Sequence, residues 1–389
     1  MNHTSFASDF EKTPHFIYLN SGSMALTPLS VRQASDRYKH QFELNPSEGL
    51  FSAWGKCWKA QQDLARFMKA DPADLYLRTN VTYVMNDFIM ALNLPKGSEM
   101  LISDIEYGAI INICRYKAEL EGLTLKTFST PKDPRDLSED QLIDSVMKAL
   151  TAKTKMVMIS HVATGSGLLF PMEKLARQLK DKNIFCVVDG AHGAGFYDLD
   201  FSNTAIDFYG SNLHKWLMGP KGTGFGWISK KMREHLTPKF AGWTSYELAS
   251  HYQKFGDKFT ARWMICSTHD FSPFYAISDV VKYWEEKGPE KIRARQAELR
   301  DFCEKTVQLR TGWQSVSTAN PMLKGPMVAF ALPEKLRRQQ FDLMWYLKNE
   351  KALQVSMTVL HGDWCMRLAP HVYNTEPEIE HAAQILSAL

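Results

Sequence analysis

Three stretches of the chain place chemically capable residues just beyond apolar runs. In IFCVVDGAHGAG, Asp189 stands where an apolar run gives way to a glycine-rich turn. In AIDFYGSNLHKWLMGPKGTGF, His214 and Lys215 follow another such run and precede a loop that holds Gly219, Gly222 and Gly224. In RTNVTYVMNDFIMAL, Asn80, Val81 and Thr82 open a helical pattern. A lone lysine is ordinarily solvated, and an aspartate before glycine is an ordinary turn residue. A carboxylate, an amine and a helix start with a hydroxyl, each beyond an apolar segment, can converge on one crevice.

Pyridoxal 5'-phosphate needs that trio. Its aldehyde is held as a Schiff base by a lysine, and burial near other cations keeps the amine accessible in its neutral, nucleophilic form. Its ring nitrogen must stay protonated to draw electrons from a carbanion, which calls for a buried carboxylate beside it. Its phosphate wants backbone amides at a helix start, a hydroxyl and cations. Lys215, Asp189 and the turn from Asn80 to Thr82 suit these roles in that order.

The elements that must position them follow from periodicity. Helical patterns at WKAQQDLARFMKA (58–70), AIINICRYKAELEG closed by Gly122, SEDQLIDSVMKAL with Ser138 as cap, and PMEKLARQLKDK alternate with apolar runs. EMLIS (99–103), LTLKTF, KMVMISHV, IFCVVDG, AIDFYGS and GFGWIS read as strands, KMVMISHV and IFCVVDG as buried ones of the kind covered on both faces. Such alternation predicts a mostly parallel sheet between layers of helices, with ligands beyond the carboxyl ends of its strands. From about residue 275 the texture changes to a long charged helix (EKIRARQAELRDFCEKTVQLR), the runs PMVAFAL, LQVSMTV and WCMRLAP, and a last helix from Glu376. The organisation expected is an N-terminal arm (1–17), a large domain (18–275) and a small C-terminal α/β domain (276–389). The segments FELNPSEGLFSAWG and FAGWTSYEL are expected to be loops that read the substrate's side chain.

VVDGAHGAG followed by YGSNLHKWLMGPKGTGF resembles the class V aminotransferase family of fold type I pyridoxal phosphate enzymes, in its isopenicillin N epimerase-like and cysteine desulfurase-like branch. The likeness runs from YLNSGSMALTP to MRLAPHVYNTEPEIE, nearly the whole chain. It implies an α/β fold with a seven-stranded sheet. It implies that Lys215 carries the cofactor and shuttles the α-proton, Asp189 pairs with the ring nitrogen, and His192 contacts the phenolic oxygen. Thr82, the Val81 amide and His214 would hold the phosphate, with Asn212 standing where desulfurases have a phosphate-binding serine. Tyr107 falls where the family stacks a ring on the pyridine, and Thr164 lies near the phenolic oxygen or the substrate carboxylate. Arg367 matches the carboxylate-binding arginine, a bidentate task that a planar guanidinium suits. Thr268 in CSTHD would reach the phosphate of a neighbouring subunit, implying a homodimer with a shared site.

Bland roles compete at several positions. His192 could be a core histidine, Asp189 a turn cap, Tyr107 a core ring and Arg367 half of an ion pair. Lys221 is expected on a phosphate-facing or solvated loop, and the stripe FDLMWYL in the core. Two departures from the family pattern stand out. SVSTANPMLKGP (315–326) lacks the nucleophilic cysteine of a desulfurase, while Cys365, two residues before Arg367, reads as a packed thiol; Ser267 replaces a usual glycine. The resemblance therefore implies epimerisation or β-elimination of the carbon–sulfur lyase type, with transamination or an inactive scaffold as alternatives.

Composition bounds the rest. With 46 Lys and Arg against 43 Asp and Glu, the net charge of +3 favours neither nucleic acid nor an anionic membrane. Six scattered cysteines without metal-site spacing suit reduced thiols in the cytoplasm and predict no metal. The start MNHTSFASDFEKTPHF lacks a basic segment followed by an apolar one, and no apolar run reaches membrane-spanning length, so no secretion is expected. GAHGAG and GPKGTG lack the spacing of nucleotide-binding loops, and no G-x-S-x-G elbow is present.

Overall fold

A computed structural model describes residues 6–389 apart from Pro134, 243–244, 246–255, 265–266 and 338–339. Twelve strands follow in chain order among the described residues. After β1 (Ile17–Tyr18) come β2 (Leu75–Arg78), β3 (Glu99–Ser103), β4 (Thr124–Phe128), β5 (Thr154–Ser160), β6 (Phe185–Asp189), β7 (Phe208–Asn212) and β8 (Gly224–Ile228). The C-terminal part adds β9 (Val328–Ala331), β10 (Leu353–Gln354), β11 (Ser356–Leu360) and β12 (Asp363–Leu368).

Seven strands form the main sheet in the order β2-β8-β7-β6-β5-β3-β4. Only β8 runs antiparallel to its neighbours; the other four pairings are parallel. The apolar runs are continuous because alternate side chains enter opposite cores. Leu101, Val157, Val188 and Tyr209 pack on one face with the helices Pro46–Phe67, Met172–Lys180 and Ile277–Lys287. Met100, Met156, Val187 and Phe208 pack on the other with the helices Val81–Ala91 and Gly108–Glu121.

A third core gathers Leu299, Val328, Phe330, Leu347, Met366, Leu368 and Ile379 around the antiparallel sheet β11-β12-β9. Ile17 and Leu19 join this core, and β1 pairs in parallel with β10. The helix Pro289–Thr311 spans both regions, with Ile292 in the first core and Leu299 in the third.

One expectation fails outright: residues 46–55, expected in a loop, form the first turns of the helix Pro46–Phe67. Pro46 occupies its first turn, and the Asn45 side chain caps it by accepting the Glu48 amide. Gly49 does not break it, because a Cβ there would lie 2.7 Å from the Phe42 ring that packs against it. The segment FAGWTSYEL lies largely outside the described residues. The stripe FDLMWYL is only partly core, with Leu343 and Leu347 buried but Trp345 53% exposed. Among the described residues no helix is long and apolar enough to cross a membrane, and no group of His, Cys, Asp and Glu could hold a metal.

Candidate active site

Beyond the carboxyl ends of the parallel strands lies a cavity of about 710 Å³. Asp189 ends β6, Asn212 ends β7, and Lys215 follows in the turn before β8. The helix Val81–Ala91 aims its amino end at the cavity, and Arg367 enters from β12. The cavity thus brings together Asn80, Val81, Thr82, Tyr107, Thr164, Asp189, Asn212, His214, Lys215 and Arg367. His192 lies immediately behind it, in contact with Thr164 and Lys215. Thr268 does not line it; this residue is exposed, and its neighbour Cys266 lies outside the described residues.

Burial sets the electrostatics. Lys215 Nζ lies 3.3 Å from His192 Nε2. Burial, helped by the Arg367 charge and opposed by Asp189, brings its amine down to about 7. Half of the population is then a neutral nucleophile near neutral pH. Burial raises the Asp189 carboxyl, while the Ala191 amide, donating to Oδ1 at 2.9 Å, and Lys215 oppose that rise. Asp189 is therefore both a turn cap and a cavity residue. Behind the strand ends, Glu106 accepts from Ser103 Oγ, Ser160 N and Ser160 Oγ. Burial still lifts Glu106 to about 7, with the Asp189 charge adding to the rise.

The helix start is built differently from expectation. Asn212 Oδ1 accepts the Val81 amide at 2.9 Å, and Asn80 Oδ1 accepts the Tyr83 amide. The Val81 N–H is thereby spent, and the Thr82 amide is left without an acceptor among the described residues. Asn212 organises this turn through its neighbours. The hydroxyl of Ser211 is likewise engaged, donating to the Gly190 carbonyl. Gly224 permits the approach, since a Cβ there would meet the Ser211 carbonyl at 2.7 Å and Asn80 Cα at 3.0 Å. His214 Nδ1 donates to the Thr223 carbonyl at 3.1 Å, and burial holds the ring down to about 4. Tyr107 is 49% exposed and lines the cavity, which removes the core alternative. Lys221 does not line the cavity and lies on an exposed loop, where its amine donates to the Ala25 carbonyl and Thr27 Oγ1.

Arg367 makes no ion pair among the described residues. Its guanidinium donates to the Thr164 carbonyl (3.1 Å), Ser23 Oγ (3.3 Å) and Asn20 Oδ1 (3.4 Å), and Nε has no partner. It is 3% exposed, and burial lowers it to about 10. A buried guanidinium with neutral partners and a spare donor has the chemistry to accept an anion.

Sequence reasoning missed two parts of the wall. Ser356, Met357 and Thr358 of β11 line the cavity, with Ser356 directly across from Arg367 in register. Gly22, Ser23 and Met24 come from the segment after β1. The apolar-to-glycine transitions that marked Asp189 have no counterpart in β11; only its pairing with β12 brings it there.

A match to the class-V aminotransferase model spans residues 17–381. The chain belongs to the class V aminotransferase family. It is 32% identical to an isopenicillin N epimerase of Streptomyces clavuligerus over 97% of this chain and 95% of that protein. It is 24% identical to a probable cysteine desulfurase of Pyrococcus abyssi, over 98% and 96%. The fold superposes with a TM-score of 0.85 on the cystine C-S lyase C-DES in complex with cysteine persulfide, covering 96% of this chain and 98% of that one at 21% identity. The cofactor of this family is pyridoxal 5'-phosphate, and the residues present fit it: a neutral amine, a buried carboxylate, a free amide and hydroxyl at a helix start, and an unpaired arginine.

Proposed function

We propose that the chain is a pyridoxal phosphate-dependent enzyme that removes the α-proton of a free amino acid or a similar compound. Arg367 carries this reading: a buried cation with neutral partners and a free Nε–H, across the cavity from a depressed lysine, suits a substrate carboxylate. Lys215 would hold the cofactor through its amine and Asp189 would face its ring nitrogen. Thr82 would hold its phosphate, with His214 donating from Nε2 once the phosphate charge protonates that ring, and His192 and Thr164 would hold its phenolic oxygen. When bound, the group supplies an electron sink for a carbanion at Cα. The neutral Lys215 amine takes the α-proton and can return it. Asp189, buried beneath the site, favours a positive charge opposite it. Tyr107 supplies a ring at the cavity mouth.

The carbanion can be reprotonated on the other face, giving epimerisation, or can expel a β-substituent. The 32% relative over nearly the whole chain supports epimerisation. Formation of a persulfide on the enzyme has no support among the described residues. Cys57, Cys114, Cys186, Cys303 and Cys365 are buried, none lines the cavity, and burial lifts the Cys365 thiol to about 11. We further infer a homodimer, because Thr268, exposed and away from its own cavity, could serve a phosphate only in a second copy.

Product analysis in deuterium oxide tests the reading. Deuterium at Cα with inversion means epimerisation, and pyruvate with ammonia means elimination. A keto acid that requires a second substrate would mean transamination. No α-exchange with any amino acid would leave an inactive scaffold.

A further inference from the structure

Behind Lys215 sits a buried hydrogen-bonded series whose proton inventory can be read from donor chemistry. The Trp216 indole Nε1 lies 3.1 Å from His192 Nδ1. An indole nitrogen can only donate, so Nδ1 is the acceptor. Burial, with the charges of Lys215 and Arg367, keeps His192 neutral. A neutral imidazole carries one proton, which must therefore sit on Nε2. Nε2 faces Thr164 Oγ1 at 3.2 Å and Lys215 Nζ at 3.3 Å.

We propose that Trp216 is a positioning residue that fixes this tautomer, so that His192 presents an N–H and not a lone pair to the Lys215 amine. The inference rests on the function proposed above. An ammonium has donors only and gains nothing from a facing N–H; a neutral amine has a lone pair that can accept it. The contact thus selects the form of Lys215 that attacks an aldehyde and accepts an α-proton. The same N–H is what a phenolic oxygen would accept.

Other charged and titratable groups around the pair do not replace this effect. Arg367 on β12 repels the ammonium, whereas Asp189 at the end of β6 favours it. His214 turns its Nδ1–H to the Thr223 carbonyl and is held neutral by burial. Trp216 itself is held on several sides. It is fully buried, stacks on His371 with centroids 5.4 Å apart and planes 9° apart, and meets the Phe196 edge at 6.1 Å. His371 in turn stacks on Tyr373 at 5.1 Å. The Val372 amide donates to His371 Nδ1, which puts the proton of that neutral ring on Nε2, 3.3 Å from the Trp216 carbonyl. The indole cannot swing away without breaking this column.

The test uses the holoenzyme labelled with ¹⁵N-histidine, with the His192 signals identified by their loss in His192→Gln. Wild-type enzyme should show a protonated Nε2 and a bare Nδ1. Trp216→Phe keeps a stacking ring and removes the donor. It should mix the two tautomers and, after the bound cofactor has been removed from both proteins, raise by about one unit the pH midpoint at which re-added pyridoxal phosphate is trapped on Lys215 by borohydride, a tenfold loss of neutral amine below the midpoint. A proton on Nδ1 in the wild type overturns the proposal whether or not the variant folds. An unchanged tautomer and midpoint in Trp216→Phe overturns it too. A protonated Nε2 that shifts in the variant, with no adduct on Lys215 in either protein, supports the tautomer assignment and overturns the proposed function instead.

Discussion

The two ends of the main sheet each carry a cavity, and they treat lysine in opposite ways. The cavity at the amino ends of the parallel strands is the larger, about 920 Å³ against about 710 Å³ at the carboxyl ends. Its wall holds Lys155, Lys180 and Lys231. Lys180 and Lys231 are exposed, and Lys231 pairs with Asp207 at 2.7 Å. At the carboxyl ends Lys215 and Arg367 share a smaller space with no carboxylate partner in an ion pair among the described residues, and burial lowers both. Size does not mark chemistry here. What separates the two ends is whether cations are desolvated and left unpaired, which is costly for a scaffold and useful only where an anion or a carbonyl is to be met.

The contrast can be broken by substitution. Lys215→Ala should cost about 10⁴-fold or more in kcat, because one side chain supplies both the nucleophile and the base; single-turnover assays would show it. Arg367→Lys should lower kcat/KM by about 10- to 100-fold, the worth of a charge-assisted hydrogen bond or two, with the loss mainly in KM.

The pH dependence has a definite sign. The Lys215 amine is lowered from its ordinary value to about 7, so it protonates as pH falls through that point. Adduct formation with pyridoxal phosphate should be flat above pH 7 to 8 and fall about tenfold per unit below the midpoint; stopped-flow absorbance would follow it. Cys365→Ala should leave turnover within about threefold, since the thiol is packed with Ala329 and Leu360 away from the cavity. A larger loss there would reopen thiol chemistry. Lys180→Ala at the other cavity should change kcat/KM by no more than about twofold, as expected for an exposed residue without a buried partner.

Much of this contrast is legible in the residues themselves. EMLIS coincides with β3 at 99–103, Gly122 closes its helix at φ 65°, and Ser138 forms the expected cap as part of a capping box. These features are local: an apolar run, a left-handed glycine and a side chain bonded three residues away. Asp189 and Lys215 could be singled out for the same reason, because one ends a strand and the other follows one. The first turns of the helix Pro46–Phe67 were hidden by Pro46, Gly49 and Gly55, although Asn45 followed by proline is also a helix start, and only the Phe42 packing decides between the two. Long-range placements were hidden altogether. Nothing in SMTVL says that it borders Arg367, that Asn212 spends its oxygen on the Val81 amide, or that Trp216 reaches His192. Such contacts depend on which strand ends meet, a property of topology and not of periodicity.

The most direct measurement is the absorption spectrum of the purified protein with pyridoxal phosphate, before and after borohydride, followed by mass mapping of the reduced residue. A long-wavelength band that collapses on reduction, with the adduct on Lys215, is the predicted result. No band, or an adduct on Lys180 or Lys231 in place of Lys215, would contradict the claim that the carboxyl ends of the sheet hold the reactive amine.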